Sequence, residues 1–288
     1  MIFMMRPFCL FVSSLAFLFW APSVLSHELV SGLPSRRINR VVALTSLSAD
    51  LVMTLDPEVL VGIPATSLTK SDPRFDGITP VSSGRSQPSL EAIVALNPDL
   101  VIGAEGFHSK ILSGLNSLGI ASLPLKINRW DRLENAAYTL RKMLSSSDAL
   151  DQKLAATCPP ISVDPQVSTK RPRVLVLVGV SPKMSPSSES WSGSLLARHH
   201  LINASEGISG GSEFSGYVTM SRERMLSVAA DTVIAVNPSG GVESYRASIQ
   251  QLFPKLKRQD FIEMDYYGFI NPGSLKSIAF ACQRLRSL

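Results

Sequence analysis

Residues Gly84–Ile102 read GRSQPSLEAIVALNPDLVI and pass from a polar turn, through a segment of helical periodicity, into a short apolar run. The same alternation fills the first half of the chain. Apolar runs typical of buried strands occur at 41–44, 59–63, 100–102 and 123–125. Helical patterns lie between several of them, near 48–54, 89–96 and 108–118. Strands that alternate with helices predict a largely parallel sheet with helices on its faces.

The second half of the chain resumes this pattern, with strands predicted at 174–178 and 232–236. Five residues of the first half also recur 132 positions later: Ser89, Glu91, Asp99, Val101 and Ile102 return as Ser221, Glu223, Asp231, Val233 and Ile234. Identical spacing favours a repeated supersecondary unit over coincidence. In each copy the serine can cap a helix, and the glutamate complements the positive end of the helix dipole. That architectural role for the glutamates and a functional role are equally open at this point.

The sequence therefore predicts an α/β protein with two Rossmann-like lobes, largely parallel sheets and a ligand cleft between the lobes. The predicted N-terminal lobe covers residues 27–130, and the connector with the C-terminal lobe covers 159–288. A joining helical segment at 131–158 keeps one apolar face and is ended by Pro159-Pro160. Because a single helical segment joins the lobes, we predict that they meet without a flexible hinge of two or three chain crossings.

Residues 1–26 have the features of a secretory signal peptide, with an apolar run after Arg6 and a plausible cleavage position after Ser26. The alternative is an uncleaved membrane anchor. Pro7 and Pro22 bracket an apolar stretch shorter than the ~20 residues that a spanning helix needs. We therefore predict a cleaved signal and a periplasmic protein.

The composition argues against several classes of function. Of 288 residues, 45% are hydrophobic, which is ample for packed cores, and the net charge of +5 is spread without a dense basic run, so nucleic-acid binding has little support. The four histidines form no chelating set, and glycine-rich phosphate loops are absent, so we expect no metal site and no cofactor. Ser209 lies in a Gly-x-Ser-x-Gly pattern without the flanking strand and helix of a nucleophile elbow. A serine hydrolase is the less favoured alternative to a binding protein.

Loops at the carboxyl ends of strands are where open α/β sheets bind their ligands. The candidate ligand-binding residues in these loops are Thr45, Ser46, Arg85, Ser86, His108, Trp130, Trp191, Phe214 and Tyr217. Arg85 is chemically the most specific of them, because a guanidinium in a Ser/Gly/Gln turn can hold an anionic ligand through two parallel hydrogen bonds. A solvated surface arginine is an equally common alternative.

Three stretches, Arg40–Thr45, Val61–Ile63 and Gly84–Ile102, make the chain resemble the periplasmic substrate-binding proteins of ABC importers for ferric siderophores, cobalamin and haem. The resemblance extends over most of residues 38–288 and is looser in the second lobe. It implies a monomer without enzymatic activity, whose partners are a small iron chelate and a membrane permease dimer. It also implies that Glu91 and Glu223, one from each lobe, dock on arginines of that permease.

The resemblance also bears on the ligand. Arg85 matches the position at which siderophore-binding members direct an arginine toward the chelate, which favours a ferric siderophore or a ferric citrate-like chelate. Cobalamin or haem is the alternative within the family. Cys158 and Cys282 are the two cysteines that remain after signal cleavage, and a disulfide between them requires Cα atoms within ~7 Å. The sequence leaves that pairing open.

Overall fold

This computed structural model contains two β-sheets, one from each half of the chain. The structure describes residues 37–83, 87–144, 148–161, 171–179, 181–208, 210, 212, 214–236, 247–254, 257 and 260–288. The described residues form one compact unit, so the two sheets belong to the same body.

The N-terminal sheet contains five parallel strands in the order β3-β2-β1-β4-β5. They are β1 (Val41–Ala43), β2 (Leu60–Pro64), β3 (Thr79–Ser82), β4 (Leu100–Ala104) and β5 (Ala121–Leu125). The central strands β1 and β4 are buried on both faces, which explains their unbroken apolar runs. The parallel sheet predicted from strand and helix alternation is confirmed.

The C-terminal sheet is mixed, with the path β11-β10-β6-β7-β9 and β8 beside β6. Its strands are β6 (Arg173–Val178), β7 (Met184–Pro186), β8 (Ile202–Asn203), β9 (Tyr217–Thr219), β10 (Thr232–Val236) and β11 (Phe261–Glu263). Strands β8, β6, β10 and β11 run parallel, whereas β7 pairs antiparallel with both β6 and β9. The α/β class is confirmed, and the second sheet differs from the first by this antiparallel strand.

Helices connect and cover the strands. They are α1 (Ser46–Leu55), α2 (Ser67–Lys70), α3 (Leu90–Ala95), α4 (Ser109–Ser117), α5 (Trp130–Leu144), α6 (Ala149–Thr157), α7 (Trp191–Arg198), α8 (Arg222–Ser227), α9 (Tyr266–Phe269) and α10 (Leu275–Arg286). Among the described residues, none of these helices has both the length and the apolar character to cross a membrane.

Helices α5 and α6 lie between the two sheets in the chain and occupy the predicted joining segment. The apolar face of α5 is buried at Leu133, Ala137 and Leu140, as its helical spacing predicts. Helix α6 ends at Thr157, two residues before the Pro159-Pro160 pair that cannot continue it. The lobe boundaries around this segment stay predictions.

The internal repeat has the same local structure in both halves. Ser89 accepts a hydrogen bond from the backbone N–H of Ala92 and caps α3, and Ser221 accepts one from Arg224 and caps α8. These side chains satisfy N–H groups that the first helical turn leaves without a partner. The 132-residue spacing therefore marks a structural repeat.

The aspartates of the repeat also match. Asp99 accepts a hydrogen bond of 3.0 Å from the backbone N–H of Arg40, and Asp231 accepts one of 2.9 Å from that of Arg173. Each arginine lies at the beginning of the first strand of its half, just before β1 or at the first residue of β6. Each aspartate thereby holds the start of one strand against its neighbour in the sheet, β4 against β1 and β10 against β6.

Candidate functional site

The carboxyl ends of β1 and β2 bring hydroxyl side chains together, as their parallel pairing requires. Thr45 Oγ1 accepts a hydrogen bond of 3.0 Å from the backbone N–H of Ser48 and caps α1. Ser46 is buried, and its Oγ lies 2.6 Å from Oγ1 of Thr66 at the end of β2. Both predicted hydroxyls are therefore engaged within the protein, and a ligand at this edge would have to share or displace these bonds.

Arg85 and Ser86 lie outside the described residues. Ser89, which follows them in the chain, caps α3. The role of Arg85 and Ser86 in binding stays a prediction from the sequence.

His108 follows β4 at the same edge of the sheet but does not face solvent. It is 3% exposed, and its Nδ1 accepts a hydrogen bond of 2.9 Å from the backbone N–H of Ala104. Burial lowers the pKa of His108, so the ring is neutral near pH 7. These contacts give His108 a structural role in the loop, and its assignment as a ligand contact stays a prediction from the sequence.

Phe107, next to it, was not singled out as a ligand-binding residue from the sequence. Its ring is 66% exposed and meets the His108 ring edge-on, with centroids 4.8 Å apart. An exposed aromatic ring on a loop at the carboxyl end of a central strand is well placed to contact a ligand. The signal was present in the sequence, because the loop was already a candidate and Phe107 is its large apolar side chain.

Trp130 and Trp191 lie against each other, with ring centroids 6.1 Å apart, and both are buried. Trp191 Nε1 donates to the carbonyl of Gly268 at 2.9 Å, and Trp130 Nε1 donates to the carboxylate of Glu134. The guanidinium of Arg198 covers the Trp130 ring at 4.1 Å from its centroid.

The two indoles therefore belong to a packed contact between the two halves of the chain. Around them, the Asn128 amide donates to the carbonyl of Glu189 at 3.1 Å, and the backbone N–H of Trp130 donates to Oγ of Ser194 at 3.2 Å. Packing covers both rings, so neither indole is exposed in this structure. The assignment of Trp130 and Trp191 as ligand contacts stays a prediction from the sequence.

Phe214 and Tyr217 precede and begin β9. Phe214 is 58% exposed, whereas Tyr217 is half-buried. Burial raises the pKa of Tyr217 to about 12, so its phenol keeps its proton at physiological pH and can donate a hydrogen bond. Phe214 offers an open apolar ring, whereas the neutral phenol of Tyr217 is hydrogen-bonded to the buried Ser192 within the protein.

A groove of about 1060 Å³ lies where α1, α2 and α6 meet α9 and α10. Of the predicted ligand-binding residues that the structure describes, only Ser46 lines it. Its floor contains Asp50, which is 2% exposed and was not identified from the sequence. Asp50 accepts 2.7 Å and 2.9 Å hydrogen bonds from the backbone N–H of Leu275 and from Arg74. This carboxylate ties α1 of the first half to the start of α10 in the second.

The two predicted docking acids lie on the surface, each in the first turn of a short helix. Glu91 is on α3, and Glu223 is on α8. The backbone N–H of Glu91 and the hydroxyl of Ser89 hold the pKa of the Glu91 carboxyl below its usual value, so it is charged at neutral pH. Both carboxylates are exposed and available to a partner.

Cys158 and Cys282 form a disulfide in the structure, with Cα atoms 5.5 Å apart. Cys158 follows α6 and Cys282 lies in α10, so the bond joins the connecting segment to the last helix. His199 Nε2 lies 3.4 Å from the Cys158 sulfur. Burial, with the nearby Arg286 and Arg198 guanidinium groups, lowers the pKa of His199 to about 4.

Solved structures with the same architecture extend over most of this chain at 14–19% identity, a level that shows the fold alone. A possible iron-binding, periplasmic solute-binding protein from Staphylococcus epidermidis is 15% identical, with a TM-score of 0.67 over 88% of this chain and 98% of its own. The periplasmic vitamin B12-binding protein BtuF of Vibrio cholerae is 14% identical, with a TM-score of 0.64 over 87% and 96%. A periplasmic haem-binding protein from Pseudomonas aeruginosa is 19% identical, with a TM-score of 0.63 over 87% and 92%.

A curated relative and a family model complete the comparison. The putative ABC transporter substrate-binding lipoprotein YhfQ of Bacillus subtilis is 27% identical over 169 residues, which are 56% of this chain and 52% of the relative. The match therefore spans about half the length of that relative. The model of the periplasmic binding protein family matches residues 41–262, which include both sheets and the joining helices. On this match the chain belongs to the periplasmic binding protein family.

Proposed function

We propose that this protein binds a ferric siderophore, or a ferric citrate-like chelate, and delivers it to the permease of an ABC importer. The observation that carries the transport role is the matched placement of Glu91 and Glu223, exposed at the same position of two repeated helices. A permease dimer built from two like subunits offers each acid an equivalent cationic partner. The dipole of each short helix also accounts for an acid at this position, so the transport role rests on the matched placement of the two acids in the repeat.

The proposed ligand site combines charge from the sequence with apolar surface from the structure. Arg85 supplies the cation for an anionic chelate, an assignment supported by the sequence alone. Phe107 and Phe214 supply exposed rings, and Tyr217 supplies a hydrogen-bond donor. Binding of this kind is noncovalent, and the protein performs no chemistry on the ligand.

Haem or cobalamin is the second candidate ligand, and the exposure of Phe107 and Phe214 favours it. Large planar macrocycles bind well against aromatic faces, because such contacts bury much apolar area at low entropic cost. The two candidates differ in which residue is indispensable. A ferric chelate requires the charge of Arg85, whereas a macrocycle depends more on the two phenylalanines.

Calorimetric titration of the purified protein with ferric siderophores, ferric citrate, haem and cobalamin tests both candidates. With a ferric chelate, Arg85→Ala should weaken binding by about 1.5–3 kcal/mol, roughly ten- to a hundredfold, because a charge-assisted hydrogen bond is lost. Arg132→Ala, at an exposed position of α5, is the matched control. Unchanged affinity in Arg85→Ala would remove Arg85 from the site. If affinity falls only in Phe107→Ala, and only for haem or cobalamin, the ligand is a macrocycle.

We also propose that the protein is monomeric and periplasmic, and that residues 1–26 are a cleaved signal. Intact-mass measurement of the exported protein tests this directly, since an uncleaved chain would retain the full mass. The hydrolase alternative has no support from the family. Ser209, on which it depends, lies outside the described residues.

A further inference from the structure

The two repeated helices share more than their capping serines and glutamates. Two residues after each glutamate the side chain is buried: Ile93 is 0% exposed and Met225 is 4% exposed. At the next position each helix turns an aliphatic side chain outward: Val94 is 37% exposed and Leu226 is 53% exposed. Val94 and Leu226 are themselves 132 residues apart, so they are part of the same repeat.

Each exposed aliphatic residue lies beside one of the acids. Glu91 and Val94 are three residues apart on α3, and Glu223 and Leu226 are three apart on α8. Side chains separated by three positions lie on one side of a helix and are neighbours on its surface. Each half of the protein therefore presents one carboxylate and one aliphatic side chain as a unit, which we call a docking patch.

A single exposed leucine or valine is ordinary on a protein surface. Here two observations go beyond that. The exposed apolar position is repeated at the same spacing in both halves, and in both it adjoins an exposed carboxylate. Interfaces commonly place apolar contacts beside charged pairs that set orientation. A partner that recognises both patches must therefore present one cation and one apolar recess twice.

We propose that Val94 and Leu226 are docking residues that insert into matching apolar recesses on the two subunits of the permease, beside the cations that pair with Glu91 and Glu223. This inference rests on the proposed transport function. It adds to that function the residues that contribute apolar contact area, whereas the acids contribute orientation and charge. The two-fold repetition of the patch selects a two-subunit partner over a single-chain one.

Photo-crosslinking in exporting cells tests the partner without knowledge of the ligand. The photoreactive residue p-benzoylphenylalanine is placed at position 94, at position 226 or, as a matched control, at Leu118, an exposed leucine outside the repeat that is 59% exposed. We expect positions 94 and 226 to capture the same ABC permease subunit, identified by mass spectrometry, and position 118 to capture none. Absence of a permease product at positions 94 and 226, or equal capture from 118, would overturn the proposal.

A second experiment measures the energetic role of the two side chains. The permease–ATPase complex identified by crosslinking is reconstituted in lipid nanodiscs, and binding of the protein is measured with and without Val94→Thr and Leu226→Asn. We expect the double variant to bind at least about fivefold more weakly, as for other apolar interface contacts, and Leu118→Asn to bind normally. Val94→Ile with Leu226→Met should retain binding because both keep the apolar surface.

Variants of the acids separate this inference from the proposed function. If Glu91→Gln with Glu223→Gln weakens permease binding but the aliphatic double variant does not, the transport role stands and the apolar docking proposal is wrong. If neither pair of substitutions has an effect, the docking role of the whole repeat is wrong. Since all four positions are exposed, thermal unfolding should be nearly unchanged in each variant, which excludes misfolding as the cause.

Discussion

Replacement of Asp50 by alanine should destabilise the protein more than replacement of any exposed acid. The carboxylate is 2% exposed and accepts hydrogen bonds from Leu275 N–H at 2.7 Å and from Arg74 at 2.9 Å. Without it, a buried N–H at the start of α10 has no acceptor, and this polar link between α1 and α10 is lost. Arg74 retains its second partner, Asp72, at 3.1 Å.

The magnitude follows from these two bonds. A hydrogen bond to a charged group contributes about 1.5–3 kcal/mol. The bond to Arg74 belongs near or below the low end, because the Arg74 side chain is 44% exposed and solvent screens it. The expected loss for Asp50→Ala is therefore about 2–4 kcal/mol. At about 2–4 °C per kcal/mol for a domain of this size, the midpoint of thermal unfolding should fall by about 4–16 °C.

Urea unfolding followed by circular dichroism measures this loss. Asp50→Asn keeps an oxygen for the Leu275 N–H and should lose about half as much as the alanine variant. Asp76→Ala, at an exposed position, is the matched control and should stay within about 0.5 kcal/mol of the wild type. A loss below about 0.5 kcal/mol in Asp50→Ala would refute the view that this carboxylate stabilises the contact between α1 and α10.

Three further predictions concern the disulfide, a buried histidine and the docking acids. After signal cleavage, the unfolded, unreduced protein should contain no titratable thiol, and two free thiols per chain would contradict the Cys158–Cys282 pairing. Reduction of this bond, whose cysteines are 124 residues apart in the sequence, should lower the free energy of unfolding by about 2–5 kcal/mol. The pKa of His199 is about 4 in the folded protein and about 6.5 when unfolded, so the unfolded chain binds more protons between these pH values and the free energy of unfolding should fall as the pH drops from 7 to 4. This fall should be smaller in His199→Gln, and equal pH dependence of urea unfolding in both proteins would rule the prediction out. Glu91→Gln with Glu223→Gln should leave ligand affinity and the unfolding midpoint unchanged while uptake of the labelled ligand stops, and normal uptake at the wild-type level of expression would make the repeat purely architectural.

The order of helices and strands was predictable because it depends on local patterns. Gly84–Ile102 contains a capping serine, a helical segment and a β-branched run, and the structure places α3 and β4 there. The 132-residue repeat was likewise visible in the sequence, and the caps of α3 and α8 repeat it in three dimensions. Strand β7 was not predicted, because a three-residue strand has too short a pattern and its direction depends on its neighbours.

The exposure of side chains in the candidate loops was less predictable. His108, Trp130 and Trp191 are polar or aromatic residues in loops or at helix starts, where such residues commonly contact ligands. The structure buries all three. The packing that covers Trp130 and Trp191 joins residues 61–77 positions apart in the sequence, and no local pattern reports contacts at that range.

By itself, the sequence determined the α/β class, the parallel N-terminal sheet, the capped repeat and the acids that the repeat carries, because each depends on residues within one strand, helix or turn. The tertiary structure alone decided which of the candidate side chains remain exposed, and it placed Asp50 between α1 and α10. It also showed that Val94 and Leu226 face outward beside the repeated acids. The physical reason is that burial and hydrogen bonding across a contact depend on the three-dimensional arrangement of distant segments, whereas helix caps and strand periodicity depend on neighbours in the chain.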